Sequence, residues 1–373
     1  MSSLGAISCG IRAPIIRQGD DLTRVVTDSV MKAVRENKII LNDKDVVAVT
    51  EAVLARAQGN YATLTQISKA VNAKFGNETV GLVFPILSRN RFSLILKAAA
   101  QGVKKLIVQL SYPGDEVGNK LLSADALDAS GINPFKDSFT EKGFRMLFPS
   151  TVHSFTGVDY IEYYKSLSKN IKIVLSNNPA HILKYTKYVL NADIHSRERT
   201  KRMLLKAGAQ KVFSLSDILT ESVDGSGFHP EYGLLGSNIA TADTIKLFPR
   251  DAMEFAERLQ NSFLKASGKK LECMVYGDGA FKDPIGGIWE LADPVVSPGY
   301  TKGLEGQPCE LKLKYIADND LAGLSGKQAE EELKRILAKK TRQEQTRRVL
   351  PAAPRSRTAF QKIKLPLANS CLQ

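Results

Sequence analysis

Residues 171–213 alternate strand-like and helix-like runs at the spacing of a parallel α/β unit, and no other stretch constrains the fold as strongly. Residues 171–175 are apolar and rich in β-branched side chains. Ser176-Asn177-Asn178-Pro179 reads as a turn into a helix that runs to about Val189. A second strand is expected within 189–195. A helix over 197–207 follows, closed by Gly208, and a third short strand occupies 211–213. Parallel strands need long crossovers, usually helical, so this order implies a sheet covered by helices. The texture begins near Gly131, which places a parallel α/β domain at 131–268.

The flanking sequence follows the same logic. Leu22, Val25, Val26, Val30 and Ala33 recur at three- and four-residue spacing, which predicts a helix over 21–34. Strands are expected at 45–49, where a buried one is read, at 80–87 and at 106–110. A helix over 92–101 should stop at Gly102. Further on, 308–316 alternates Leu311, Leu313 and Tyr315 with Lys312 and Lys314 and reads as a half-exposed strand. A charged helix is expected over 328–337. No internal repeat is visible.

At 373 residues the chain suits two or three domains, and its 43% hydrophobic and 24% charged residues are those of a soluble globular protein. No apolar run of about 18 residues occurs, so no transmembrane helix is expected. The start lacks a secretory pattern, and the four cysteines are widely spaced without a C-x-x-C pair. A reducing cytoplasmic location without membrane association follows as the expectation. The net charge of +13 is uneven. From Lys334 to Gln373 eleven Lys and Arg face one acid, Glu344, which accounts for +10 of it. The segment 339–373 reads as a basic, disordered tail. A nucleic-acid partner is disfavoured, because the only aromatic residue in this tail is Phe360.

Five stretches could carry chemistry. The run from Gly10 to Leu22, with Pro14 and Gly19, precedes a helix; Asp20 or Asp21 suits a plain cap, and the backbone could also hold a nucleotide. Thr50, Glu51 and Arg56 lie just past a strand end, where ligands gather in α/β folds, and Arg56 could pair with phosphate or with a surface acid. Ser88-Arg89-Asn90-Arg91 follows the 80–87 run, and two arginines at a strand-to-helix junction suit a phosphate or carboxylate. In Tyr276-Gly277-Asp278-Gly279-Ala280-Phe281-Lys282-Asp283, the acids Asp278 and Asp283 suit Mg2+ or Mn2+ and Lys282 suits phosphate; a hairpin turn is the alternative. Asp318-Asn319-Asp320 could complete a metal site or cap a helix. The glycine-rich stretch 222–238 fits neither standard phosphate loop. His195 is read as structural.

Together these stretches resemble the coenzyme F-420 γ-glutamyl ligase family. The resemblance lies in Pro14-Ile15-Ile16 with Gly19-Asp20-Asp21-Leu22, and in Asp43-Lys44-Asp45-Val46-Val47 with Arg56-Ala57-Gln58-Gly59. It continues in Lys74-Phe75-Gly76-Asn77, Asn90, Gly277-Asp278-Gly279 and Ala317-Asp318-Asn319-Asp320-Leu321-Ala322. A longer bacterial branch is closer still, through Ile86-Leu87-Ser88-Arg89-Asn90-Arg91-Phe92, Gly233-Leu234-Leu235-Gly236-Ser237-Asn238 and the 276–284 run. Against that branch the resemblance spans about 8–338.

The resemblance implies an α/β protein with a discontinuous ligase-like α+β domain (1–130 and 269–338) and 131–268 as an inserted parallel α/β domain, before the tail. It implies that GTP or ATP, with Mg2+ or Mn2+, drives amide formation between L-glutamate and a small carboxylate acceptor through an acyl phosphate. It puts Ala13, Pro14, Ile15, Glu51, Arg56 and Asn90 on the nucleotide. It puts metal on Asp278 and on Asp318 or Asp320; taken with the residue reading above, Asp278, Asp283, Asp318 and Asp320 would hold metal, and Ser88, Arg89, Arg91 and Lys282 phosphate or substrate anions. Leu87 stands where the family carries a metal-binding aspartate, so one ligand is replaced. A homodimer is left open. Two other readings are carried: a nucleotide- or metabolite-binding module without catalysis, and nucleic-acid binding through the tail.

Overall fold

The computed structural model describes residues 7–153, 156–277, 280–282, 289–291, 298–304 and 313–347. Residues 7–304 form one compact unit. Its first part contains α1 (Leu22–Glu36), β1 (Val46–Thr50), α2 (Glu51–Gln58), β2 (Tyr61–Thr63), α3 (Leu64–Phe75), β3 (Thr79–Val83), α4 (Ser93–Gln101) and β4 (Lys105–Leu110). The middle adds α5 (Ala124–Ser130), β5 (Ser138–Thr140), α6 (Glu141–Leu147), α7 (Tyr160–Ser166), β6 (Ile171–Ser176), β7 (Tyr188–Asn191), α8 (Arg197–Lys206) and β8 (Lys211–Ser214). The last part holds β9 (Asn238–Ile239), β10 (Thr244–Lys246), α9 (Ala252–Ser267), β11 (Glu272–Tyr276), β12 (Ala280–Lys282), β13 (Trp289–Leu291) and β14 (Gly299–Tyr300).

The main sheet has six strands in the order β5-β6-β4-β3-β7-β8, parallel except for the edge strand β5. Its inner strands are near-continuous apolar runs, because helices cover both faces. Leu106, Val108 and Leu110 of β4 pack on one side with Leu96 of α4 and with Tyr160 and Tyr164 of α7. Val83, Ile107, Val174 and Val189 point the other way, to Ile182 and to Leu204 of α8. A smaller sheet, β1-β11-β14, packs with α1, α2 and α9 around Leu54, Phe255, Leu259 and Phe263. A third strip, β2-β10-β9, is antiparallel, and β12 pairs with β13.

The α/β class expected from sequence is the observed one. The boundary expected at 131 falls inside the six-stranded sheet: β3 and β4 precede it, and they share parallel ladders with β6 and β7, which follow it. The reason is topological, since a central strand is buried only when its later partners add on both sides.

Several element bounds also differ from the sequence reading. The β1 strand exposes Val46 and Ala48, because it is the edge of its sheet. The strand expected at 80–87 ends at Val83, where Phe84 takes a positive φ of 56° before Pro85. The helix expected from Pro179 to Val189 is a short 3-10 helix of two turns, Pro179–Lys184, followed by β7. That strand ends at Asn191, four residues before His195. In the other unit Leu313–Asp318 is the helix α10, where a strand was expected; Ile316 is buried and Lys314 and Tyr315 are exposed, a spacing that short alternation does not separate from a strand. The charged helix α11 spans Gly326–Arg347 and so continues past 339, where the tail was expected to begin.

The glycine-rich stretch 222–238 is ordered by His229. Its Nδ1 accepts from the N–H groups of Tyr232 at 3.0 Å and Glu231 at 3.2 Å, and its ring stacks on Tyr232 with centroids 4.4 Å apart. Those bonds require a neutral ring. Burial, helped by the nearby Arg250 charge and opposed by the Pro249 backbone and Asp251, pushes the imidazole down to about 4. The unfolded chain takes up this proton near 6.5 and the fold only near 4, so stability is full above about 6.5 and is lost as pH falls through that window. His229→Asn keeps an acceptor at the Nδ1 position without the titration. Between pH 7.5 and 4.5 the unmodified protein should lose about 2 kcal/mol more stability than this variant in urea unfolding. Equal losses in the two proteins would contradict the assignment.

Candidate functional site

Ligands in parallel α/β folds gather beyond the carboxyl ends of the strands. In the small sheet β1 and β11 run parallel, with Thr50 opposite Tyr276. The chain therefore leaves one end of this sheet twice, at Thr50-Glu51 and at Tyr276-Gly277. Glu51 opens α2, where a carboxylate suits the helix N-terminus. It is also buried, and Lys246 of β10 places its Nζ 2.7 Å from Oε1. Two ionised groups out of water are tolerated only when paired.

That pair joins α2 to the β2-β10-β9 strip. Lys246 lies opposite Tyr61 on one side and Asn238 on the other, and the next residue of β9, Ile239, donates its N–H to the Asn90 carbonyl at 2.9 Å. So Glu51 and the 88–91 run, far apart in sequence, attach to one three-stranded strip. The 86–92 segment is itself clamped by Tyr164. The tyrosine hydroxyl donates to the Ile86 carbonyl and accepts from Ser88 N–H at 2.9 Å, and Ser88 Oγ accepts from Arg91 N–H at 3.1 Å. Ser88 and Arg91 are buried; Arg89 and Asn90 are half-buried.

Asn60 fixes the other end of the strip, and sequence reasoning missed it. Its Oδ1 accepts from Phe228 N–H at 3.0 Å and from an Arg250 Nη at 2.7 Å, while its Nδ2 donates to the Phe228 and Phe248 carbonyls. Gly227 must lack a side chain here, since a Cβ would lie 2.5 Å from Asn60 Oδ1. An Asn between a helix-closing Gly59 and a strand reads as a turn residue, so nothing in the sequence marks it as a hub. Lys246 carries no motif either.

The remaining expected residues divide clearly. Ala13, Pro14 and Ile15 are exposed on the approach to α1. The same approach is tied to the end of α2, because Gly19 donates its N–H to the Ala57 carbonyl at 2.8 Å. Arg56, beside that tie, is exposed and available to an anion. Leu87, where the resemblance implies an aspartate, is 1% exposed and belongs to the core. Asp278 and Asp283 lie outside the described residues, and of Lys282 only the backbone, in β12, is described. Asp318 and Asp320 are exposed, in the second unit. Among the described residues no group of three or more His, Cys, Asp and Glu side chains could hold a metal ion, and Glu51 is engaged by Lys246. No helix among the described residues is long and apolar enough to cross a membrane.

A family model described as F420-0:Gamma-glutamyl ligase matches residues 10–343, most of the chain. The chain belongs to that family, a family of ligases that act with glutamate. No curated protein matches it.

Removing one partner of the buried pair should be costly. Glu51→Gln or Lys246→Met alone should lose about 3–5 kcal/mol in guanidinium unfolding, and the double variant should regain much of it. A loss below about 1 kcal/mol for Glu51→Gln would contradict a buried, coupled pair.

Proposed function

We propose that this member of the F420-0:gamma-glutamyl ligase family joins the amine of L-glutamate to a small carboxylate acceptor of the F420-0 type, at the expense of GTP or ATP. One observation carries the reading: the Glu51–Lys246 pair and the β2-β10-β9 strip tie Glu51, at the end of β1, to Asn90, and the family resemblance puts both residues on the nucleotide. Arg56, Arg89 and Arg91 supply positive charge on the two segments that the strip joins, and the nucleotide and the acceptor carboxylate are both anions.

The chemistry proceeds in two displacements. An acceptor carboxylate oxygen attacks the γ-phosphorus, the bond to the nucleoside diphosphate breaks, and an acyl phosphate forms. The glutamate nitrogen then attacks the acyl carbon, phosphate leaves with the C–O electron pair, and the nitrogen loses its proton. Guanidinium groups held in place by clamped backbone favour charge developing on the transferred phosphoryl oxygens without reorganising. Glu51, neutralised by Lys246, acts here by positioning α2 and the strip. Ala13, Pro14, Ile15 and Asn90 are proposed along the nucleotide, with Ser88 and Lys282 toward the anions. Asp278 and Asp283 are proposed as carboxylates for Mg2+ or Mn2+, which would offset phosphate charge, and Asp318 and Asp320, in the second unit, are proposed separately as metal ligands.

The test is phosphate release from GTP and from ATP with either cation, with and without L-glutamate and F420-0. Release should require both glutamate and acceptor and should fall at least 100-fold in Asp278→Asn and in Arg89→Ala. Nucleotide binding without release under every combination would replace this reading with a binding module.

A further inference from the structure

The parallel part of the main sheet has the order β6-β4-β3-β7-β8. The chain moves outward from β3 through β4 to β6, then returns to β7 on the other side of β3. The β3–β7 neighbourhood is therefore a topological switch point, where the connections leave in opposite directions and where sheets of this kind carry their crevice beyond the strand ends. The β4–α5 connection spans this crevice. Asp115 accepts from the N–H of Leu87, beyond β3, at 2.7 Å. The next residue, Glu116, reaches the segment beyond β7: Oε1 accepts from Ile194 N–H at 2.6 Å, and Oε2 accepts from His195 N–H at 2.9 Å and lies 3.0 Å from His195 Nδ1.

The receiving segment is built from its own residues. Asn191 Oδ1 accepts from Asp193 N–H, and Asn191 Nδ2 donates to the Arg197 carbonyl. Asp193 takes Ser196 N–H at 3.0 Å and Thr200 Oγ1 at 2.6 Å. Two successive N–H groups thus face outward with His195 beside them, and the two oxygens of one carboxylate fill them. The strap has its own base, an Asp115–Asn119 turn in which Asp115 accepts from the N–H groups of Val117 at 3.1 Å and Asn119 at 2.8 Å. In the 113–119 loop the backbone of Glu116 is exposed while its side chain is only 22% exposed, so the residue hangs as a latch from a surface loop.

We propose that the 113–119 loop is a strap latched across the β3–β7 crevice by Glu116, and that a free ligand carboxylate opens it by replacing Glu116 on Ile194 and His195. The occupant is held against opposition. Desolvation raises the Glu116 carboxyl above its ordinary value, Asp193 adds to this, and the Ile194 and His195 N–H groups act the other way. An intramolecular carboxylate acts at an effective concentration of order millimolar, so an outside carboxylate competes in the intact chain only at that level or above.

Hydrogen exchange on the full chain tests this, with L-glutamate and acetate as probes and chloride at equal ionic strength as control. Glu116→Ala should speed exchange at 194–195 and 113–119 at least tenfold, with β3, β4 and β6 unchanged as the folding control. L-Glutamate or acetate, and not chloride, should restore protection at 194–195 in that variant. In the unmodified chain the same acids should speed exchange at 113–119. Glu116→Gln, which keeps one acceptor oxygen, should fall between the two. Unchanged exchange at 194–195 in Glu116→Ala, or restoration by chloride as well as by the acids, would overturn the proposal.

Discussion

A carboxylate and an ammonium buried side by side decide where three distant stretches of this chain must meet. Glu51 stands at the carboxyl end of β1 and Lys246 in the middle of a short antiparallel strip. Neither could remain charged in that interior alone, since desolvating one ion without its partner costs several kcal/mol. Together they lock α2 to β10, and β10 carries β2 and β9 with it. Through β9 the strip reaches Asn90 and the arginine-rich turn beyond β3. The ends of two separate parallel arrangements are thereby held in register by one ion pair and a few main-chain bonds.

Asn60 complements that lock with neutral chemistry. Every side-chain hydrogen-bonding atom of this buried amide has a protein partner, and the partners come from 228, 248 and 250. A network of this kind specifies one arrangement, because any slip strands buried polar atoms. The same economy governs the turn after β3, where the Tyr164 hydroxyl serves both Ile86 and Ser88. Arg89 and Arg91 are thus mounted on backbone fixed from both sides.

Much of this architecture was legible in the sequence. The apolar runs of β4, β6 and β8, the helix α4 stopped by Gly102 and the amphipathic α1 follow from periodicity and punctuation. The division of the chain was not legible, because apolar runs announce strands without announcing neighbours. Residues on both sides of 131 supply ladders to one sheet. The helix expected after Pro179 shortened to two 3-10 turns because β7 had to start at Tyr188 to pair with β3 and β8. At the candidate site the arginines, Asn90 and Glu51 stood out as polar residues at strand ends. Lys246, Asn60 and Glu116 did not, since their roles exist only through partners more than 70 residues away.

The nucleotide proposed for this protein would touch both the end of β1 and the turn beyond β3. Photo-crosslinking with an azido-guanine nucleotide, followed by peptide mapping, tests it directly. Label is expected in both 50–60 and 86–92, displaced from both by the same concentration of unlabelled nucleotide. Label confined to one of these segments, or found only in 131–217 or beyond Lys334, would contradict it.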